Sequence, residues 1–214
     1  MQYCCNDYTI NYNECDKEYI SDLISYFDDR KTDIFKFFGI EKLSKKLIIN
    51  LYDSIDKYSE YRNYNLSLAS VGNMDVLDDN YYLNILSYKE FIKRKGHEND
   101  NLDYMFKTLL HEFIHICQEE IDNCRKSLIW IREGIAIFLS NQYEGLNYKI
   151  DSCSIDDLLN DKRVWYINYY SLVKYAFDKY GIDYVKKLVF DYDFCKCETS
   201  KLYNELSGVI ECMN

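Results

Sequence analysis

The chain is 214 residues long, carries 36 acidic against 26 basic side chains for a formal charge of −10, and contains no proline. That length suits one domain with a substantial core, and the acidic balance argues against phosphate-backbone binding, so no nucleic-acid partner is expected. No window approaches the ~18 apolar residues of a membrane span, and Met1 to Asp7 offers neither a basic start nor an apolar signal core; no membrane partner and a cytoplasmic location are therefore expected.

Tyr8 to Tyr12 alternates with polar residues and reads as a short strand. Lys17 to Phe38 then places Ile20, Leu23, Ile24, Phe27, Ile34, Phe37 and Phe38 at helical spacing, and Gly39 closes that helix. Lys46 to Tyr52 is rich in β-formers, Ile55 to Tyr64 reads as a short helix, and Leu66 to Val71 and Tyr81 to Tyr88 are strand candidates. Between them, Gly72-Asn73-Met74-Asp75 reads as a turn. Lys93-Arg94-Lys95, the one tight basic run, is a solvated loop. Asn101 to Asp122 puts Leu102, Met105, Phe106, Leu109, Phe113, Ile116 and Cys117 at three- and four-residue steps without a glycine, so one face of a long helix is core. Trp130 to Leu139 is apolar on every face, and Tyr166 to Tyr175 continues as a helix to Tyr180, with Gly181 as its stop. The fold class is α+β: a small N-terminal mixed-sheet lobe with helices over residues 1–100, then a mainly helical lobe over 101–214, within a single domain spanning 1–214. Nine cysteines, an odd number without metal-pair spacing at Cys4-Cys5 or Cys195-Lys196-Cys197, read as reduced thiols. Cys117 is packing rather than a nucleophile.

Two of the three histidines stand in His111-Glu112-Phe113-Ile114-His115. Residues four apart on a helix lie one turn above each other, so both imidazoles can reach one Zn²⁺ at about 2.0–2.1 Å while Glu112 flanks the open position as a general base. Two surface histidines on an amphipathic helix would give the same pattern. Against that, His111 and His115 share a second stripe with Tyr104 and Thr108, bordered by Leu110 and Ile114, which suits a cleft wall. Catalytic zinc sites usually take a third protein ligand, and Glu133 is a carboxylate set among apolar residues, where burial is costly without a compensating cation. An ion pair of Glu133 with Arg132 or Arg125 is the alternative. Gly134 and Ala136 remove bulk beside it, which would let its helix approach the histidine helix closely.

His-Glu-x-x-His followed 18 positions later by Glu in the setting Trp130-x-x-Glu133-Gly134-x-Ala136 resembles the gluzincin zinc metallopeptidases, the group that includes thermolysin-like and aminopeptidase N-like enzymes. The likeness to their compact peptidase-MA-like domains runs from about Lys45 to Leu188. It implies a zincin-like fold with the active-site helix at the cleft, one Zn²⁺ per chain on His111, His115 and Glu133, Glu112 as general base, and a peptide or protein substrate. It further implies a tyrosine that binds the oxyanion; Tyr166 fits the register better and Tyr170 is the alternative, although 23 tyrosines place some on any helix. By the same resemblance Tyr81 to Tyr88 would be the edge strand that pairs with substrate. Gly72 to Asp75 is similar to the aminopeptidase Gly-x-Met-Glu-Asn run but departs from it at Asp75 and Val76. Thermolysin-like enzymes carry an acidic residue one turn beyond the glutamate ligand, where this chain has Ile137, so no partner orienting a ligand histidine is legible. A catalytically silent peptide-binding module, and a repressor-cleaving protease of the ImmA/IrrE kind, are the other readings the motif allows.

Overall fold

The computed structural model describes residues 1–62, 70–121, 124 and 126–213. Over these the chain is α+β, with a five-stranded mixed sheet near the N-terminus and helices dominating toward the C-terminus. It divides into two units, Met1–Glu120 and Ile121–Asn214.

The first unit holds β1 (Gln2–Cys4), β2 (Tyr8–Asn11), α1 (Ile20–Phe38), β3 (Lys46–Tyr52), α2 (Ile55–Arg62), β4 (Gly72–Leu77), β5 (Asn80–Leu86), α3 (Tyr88–Phe91) and α4 (Leu102–Glu119). Sheet order is β1-β2-β3-β5-β4: β2, β3 and β5 run parallel, and β1 and β4 close the two edges antiparallel. Alternation along β3 and β5 buries Leu47, Ile49, Leu51, Tyr81, Leu83 and Ile85 on one face. That face meets α1 and α4, whose Phe27 and Phe113 rings cross edge-on at 4.9 Å. Each such fully buried side chain contributes roughly 1.5–3 kcal/mol relative to exposure. Gly39, at φ 69°, takes the left-handed turn that ends α1.

The other face carries a polar row in register. Asn11, Asn50, Asn84 and Asn73 stand opposite one another across β2, β3, β5 and β4. Asn11 Nδ2 donates to Asn50 Oδ1 at 2.7 Å, and Asn50 Nδ2 to Asn84 Oδ1 at 2.9 Å. Asn73 donates to Asp75 and accepts from the Tyr58 hydroxyl of α2 at 2.7 Å. A one-residue slip would break every link, so the row fixes strand register.

Residues 66–69 of the expected Leu66–Val71 strand lie outside the described residues, and Val71 precedes a strand where a turn is expected from the sequence. That strand is β4, which begins at Gly72. The expected edge strand, Tyr81 to Tyr88, corresponds to β5 (Asn80–Leu86), which is interior, flanked by β3 and β4; on that side the sheet ends, among the described residues, at β4. The hairpin between β4 and β5 turns on Asp78 and Asp79, both at positive φ (46° and 59°), as a two-residue I′ turn requires. Lys45 pairs with Asp79 there.

The second unit contains α5 (Ile129–Ser140), α6 (Ile155–Leu159), α7 (Tyr166–Tyr180), α8 (Ile182–Phe190) and α9 (Tyr192–Met213). α5 lies against α7, and Trp130 Nε1 donates to Thr199 Oγ1 of α9 at 3.2 Å. The segment before α6 is strapped to α7 by two buried side chains: Lys149 N donates to Ser171 Oγ at 2.9 Å, while Asn168 accepts from Asp151 N at 2.7 Å and donates to Asp151 O at 3.0 Å.

Candidate metal centre

α4 starts where the Asn101 side chain accepts the Tyr104 amide at 2.9 Å, a side-chain cap for an otherwise unpaired donor. From there neither glycine nor proline interrupts 18 residues, and Met105, Leu109, Phe113 and Ile116 face the core. The helix therefore holds His111 and His115 rigidly one turn apart. They are 6% and 9% exposed, so they are not surface histidines. Their rings meet edge-on with centroids 4.7 Å apart, and the two Nε2 atoms converge to 3.0 Å.

That separation bears on what the pair can hold. Two nitrogen ligands at tetrahedral angles on a zinc with 2.0–2.1 Å bonds stand about 3.3 Å apart, so the pair fits a shared metal ion with a shift of a few tenths of an ångström. His115 Nδ1 lies 2.7 Å from Oε1 of Gln118, three residues on along the same helix and also buried. The sequence reading missed Gln118. A glutamine at that spacing is indistinguishable from a surface residue until its burial is known.

Glu112, between the histidines, is half-buried. A Cβ added to Gly72 at the start of β4 would lie 3.4 Å from Glu112 Cγ and 3.7 Å from Thr108 Cγ2. The edge strand thus begins directly beside the expected general base, and glycine leaves that approach clear.

Glu133 stands on the second turn of α5, half-buried, with its carboxylate among the groups that raise the Tyr169 hydroxyl pKa, after the burial of that hydroxyl. Asp161 Oδ1 accepts the Ile129 amide at 2.8 Å and so caps α5. Gly134 permits a close approach to α7: a Cβ there would meet Val173 Cγ2 at 2.7 Å and the Tyr169 carbonyl oxygen at 2.8 Å. Arg125, one of the alternative ion-pair partners, lies outside the described residues. The ligand-capable atoms of His111, His115 and Glu133 all lie within 4.8 Å of one another, a group that could hold a metal ion and the only one of its kind among the described residues.

Tyr166 is the first residue of α7 and 47% exposed. Tyr170, one turn on, is 4% exposed, with its ring edge-on to Tyr143 at 5.7 Å and its hydroxyl pKa raised by burial and by Asp178 and Glu144. Between them Tyr169 uses its hydroxyl structurally: it accepts the Val164 amide at 3.1 Å and donates to the Lys162 carbonyl at 3.2 Å, which fixes the turn leading into Tyr166. The Cys117 thiol is buried, and burial holds its pKa well above the ordinary thiol value. It is inert packing. All nine cysteines are free thiols, and among the described residues no helix is long and apolar enough to cross a membrane. Comparison of the sequence with protein-family models and with curated proteins finds no match.

Proposed function

We propose that this chain is a zinc metallopeptidase of the gluzincin type, hydrolysing peptide bonds with one Zn²⁺ held by His111, His115 and Glu133. The observation that supports it most is the convergence of two buried imidazole Nε2 atoms to 3.0 Å, with a glutamate carboxylate in the same 4.8 Å group. Burying two unprotonated imidazoles nose to nose is unfavourable unless a proton or a cation lies between them. The donor set of two nitrogens and a carboxylate oxygen suits zinc with one position left open.

When bound, zinc supplies Lewis acidity and brings the pKa of water toward 7. Glu112 takes a proton from the attacking water and later delivers it to the leaving amine, a general acid–base role typically worth 10²–10⁴-fold. The Tyr166 hydroxyl donates to the oxyanion that develops on the substrate carbonyl. Substrate runs along β4, pairing through its backbone as an added strand, which gives affinity with little sequence demand. Because Gly72 lies against Glu112, a peptide so aligned passes the general base. Free thiols throughout suit a reducing compartment.

The test is mass-spectrometric profiling of a peptide library with the zinc-loaded protein. Cleavage that a chelator abolishes, and that falls at least 10²-fold in Glu112→Gln while zinc stays bound, is the expected outcome. A zinc-loaded, folded protein that cuts nothing would make the chain a binding module instead.

A further inference from the structure

Gln118 is 1% exposed, and its Oε1 lies 2.7 Å from His115 Nδ1. A side-chain amide oxygen can only accept, so this orientation of the Gln118 amide places the His115 proton on Nδ1. In the neutral ring Nε2, the atom that faces His111 Nε2 at 3.0 Å, is then the acceptor nitrogen. The tautomer of a ligand histidine is set by whatever its other nitrogen bonds. α4 itself makes this selection, since His115 and Gln118 are three residues apart on one buried stretch and no loop motion can separate them.

The identity of the acceptor matters as much as its position. Carboxylates commonly hold ligand histidines, and their charge raises ligand basicity. Gln118 gives the same orientation without a charge. We propose that Gln118 is the positioning residue of the metal centre: its amide oxygen locks His115 into the form that offers Nε2 to the ion, and its neutrality leaves zinc bound less tightly than a carboxylate at that position would. This rests on the metal-centre reading only in taking His115 as a ligand.

Zinc affinity, measured by competition with a chromophoric chelator on the full chain, tests it without reference to peptide cleavage. Gln118→Met keeps length and bulk but cannot accept, and should weaken zinc binding 10–100-fold. Gln118→Glu should bind at least as tightly as the parent. Thermal unfolding in excess chelator establishes that each variant is folded. A folded Gln118→Met that binds zinc within twofold of the parent overturns the proposal and leaves the metal centre standing; a folded parent that binds no zinc overturns both. Should Gln118→Met not fold, ¹⁵N NMR of the parent decides: a protonated Nδ1 with bare Nε2 on His115 is expected, and a proton on Nε2 rather than Nδ1 overturns the assignment.

Discussion

Tyr166 and Tyr170 occupy the same helix one turn apart, yet their surroundings differ. Tyr170 is packed away against Tyr143, with its phenol held protonated by burial and nearby carboxylates. Tyr166 is exposed at the helix start, on a turn that Tyr169 pins through two backbone hydrogen bonds. Losing one oxyanion donor costs about 10²–10³ in kcat, so Tyr166→Phe should lower kcat by that factor with KM and zinc content near the parent's, whereas Tyr170→Phe should leave kcat within a few-fold. Steady-state kinetics on one peptide distinguishes them, and the reverse ranking would transfer the role to Tyr170. His111, Glu112 and His115 were legible in the sequence because four-residue spacing on a helix is local geometry. Gln118 was not, because its meaning depends on burial, which a three-residue interval does not reveal.

Among the elements, α5 shows how a glycine can be needed for packing rather than for backbone freedom. Gly134→Ala gains up to about 1 kcal/mol of helix propensity, but its methyl would stand 2.8 Å from the Tyr169 carbonyl oxygen and 2.7 Å from Val173 Cγ2. Val173 is a side chain and can turn; the carbonyl belongs to the α7 backbone and cannot. Overpacking of this kind costs typically 1–3 kcal/mol, which exceeds the gain. Urea unfolding should therefore show Gly134→Ala less stable, by up to about 2 kcal/mol, and a more stable variant would mean that α5 and α7 separate easily. α1 and α7 were legible from their apolar spacing and glycine stops, β3 from its run of β-formers and α5 from its continuous apolar stretch. β4 was not, because Gly72-Asn73-Met74-Asp75 has the composition of a turn, the alternation through Met74 and Val76 is short, and its hairpin turns on Asp-Asp instead of the usual Asn-Gly. What makes it a strand is tertiary: its pairing with β5 and the asparagine row that ends on Asn73.

For the whole molecule, charge says little about stability: pairs such as Lys17–Glu14 and Lys57–Asp53 are solvent-facing and exposed pairs contribute about 0–1 kcal/mol each. The apolar core carries the fold. The sequence pattern divided the chain near residue 100, where strands give way to helices, whereas the first unit extends to Glu120. α4 belongs with the sheet because its apolar stripe packs on α1, β4 and β5, a partnership that periodicity cannot specify since it shows only which face is buried, and not against what. The α+β class itself was legible, because the order of elements alone determines it. Metal analysis of the purified, folded chain after zinc exposure and gel filtration tests the proposed zinc centre most directly. One zinc per chain is expected in the parent, retained in Glu112→Gln and lost in the His111→Ala, His115→Ala double variant. A folded parent that carries no zinc, or a double variant that keeps it, would rule the centre out.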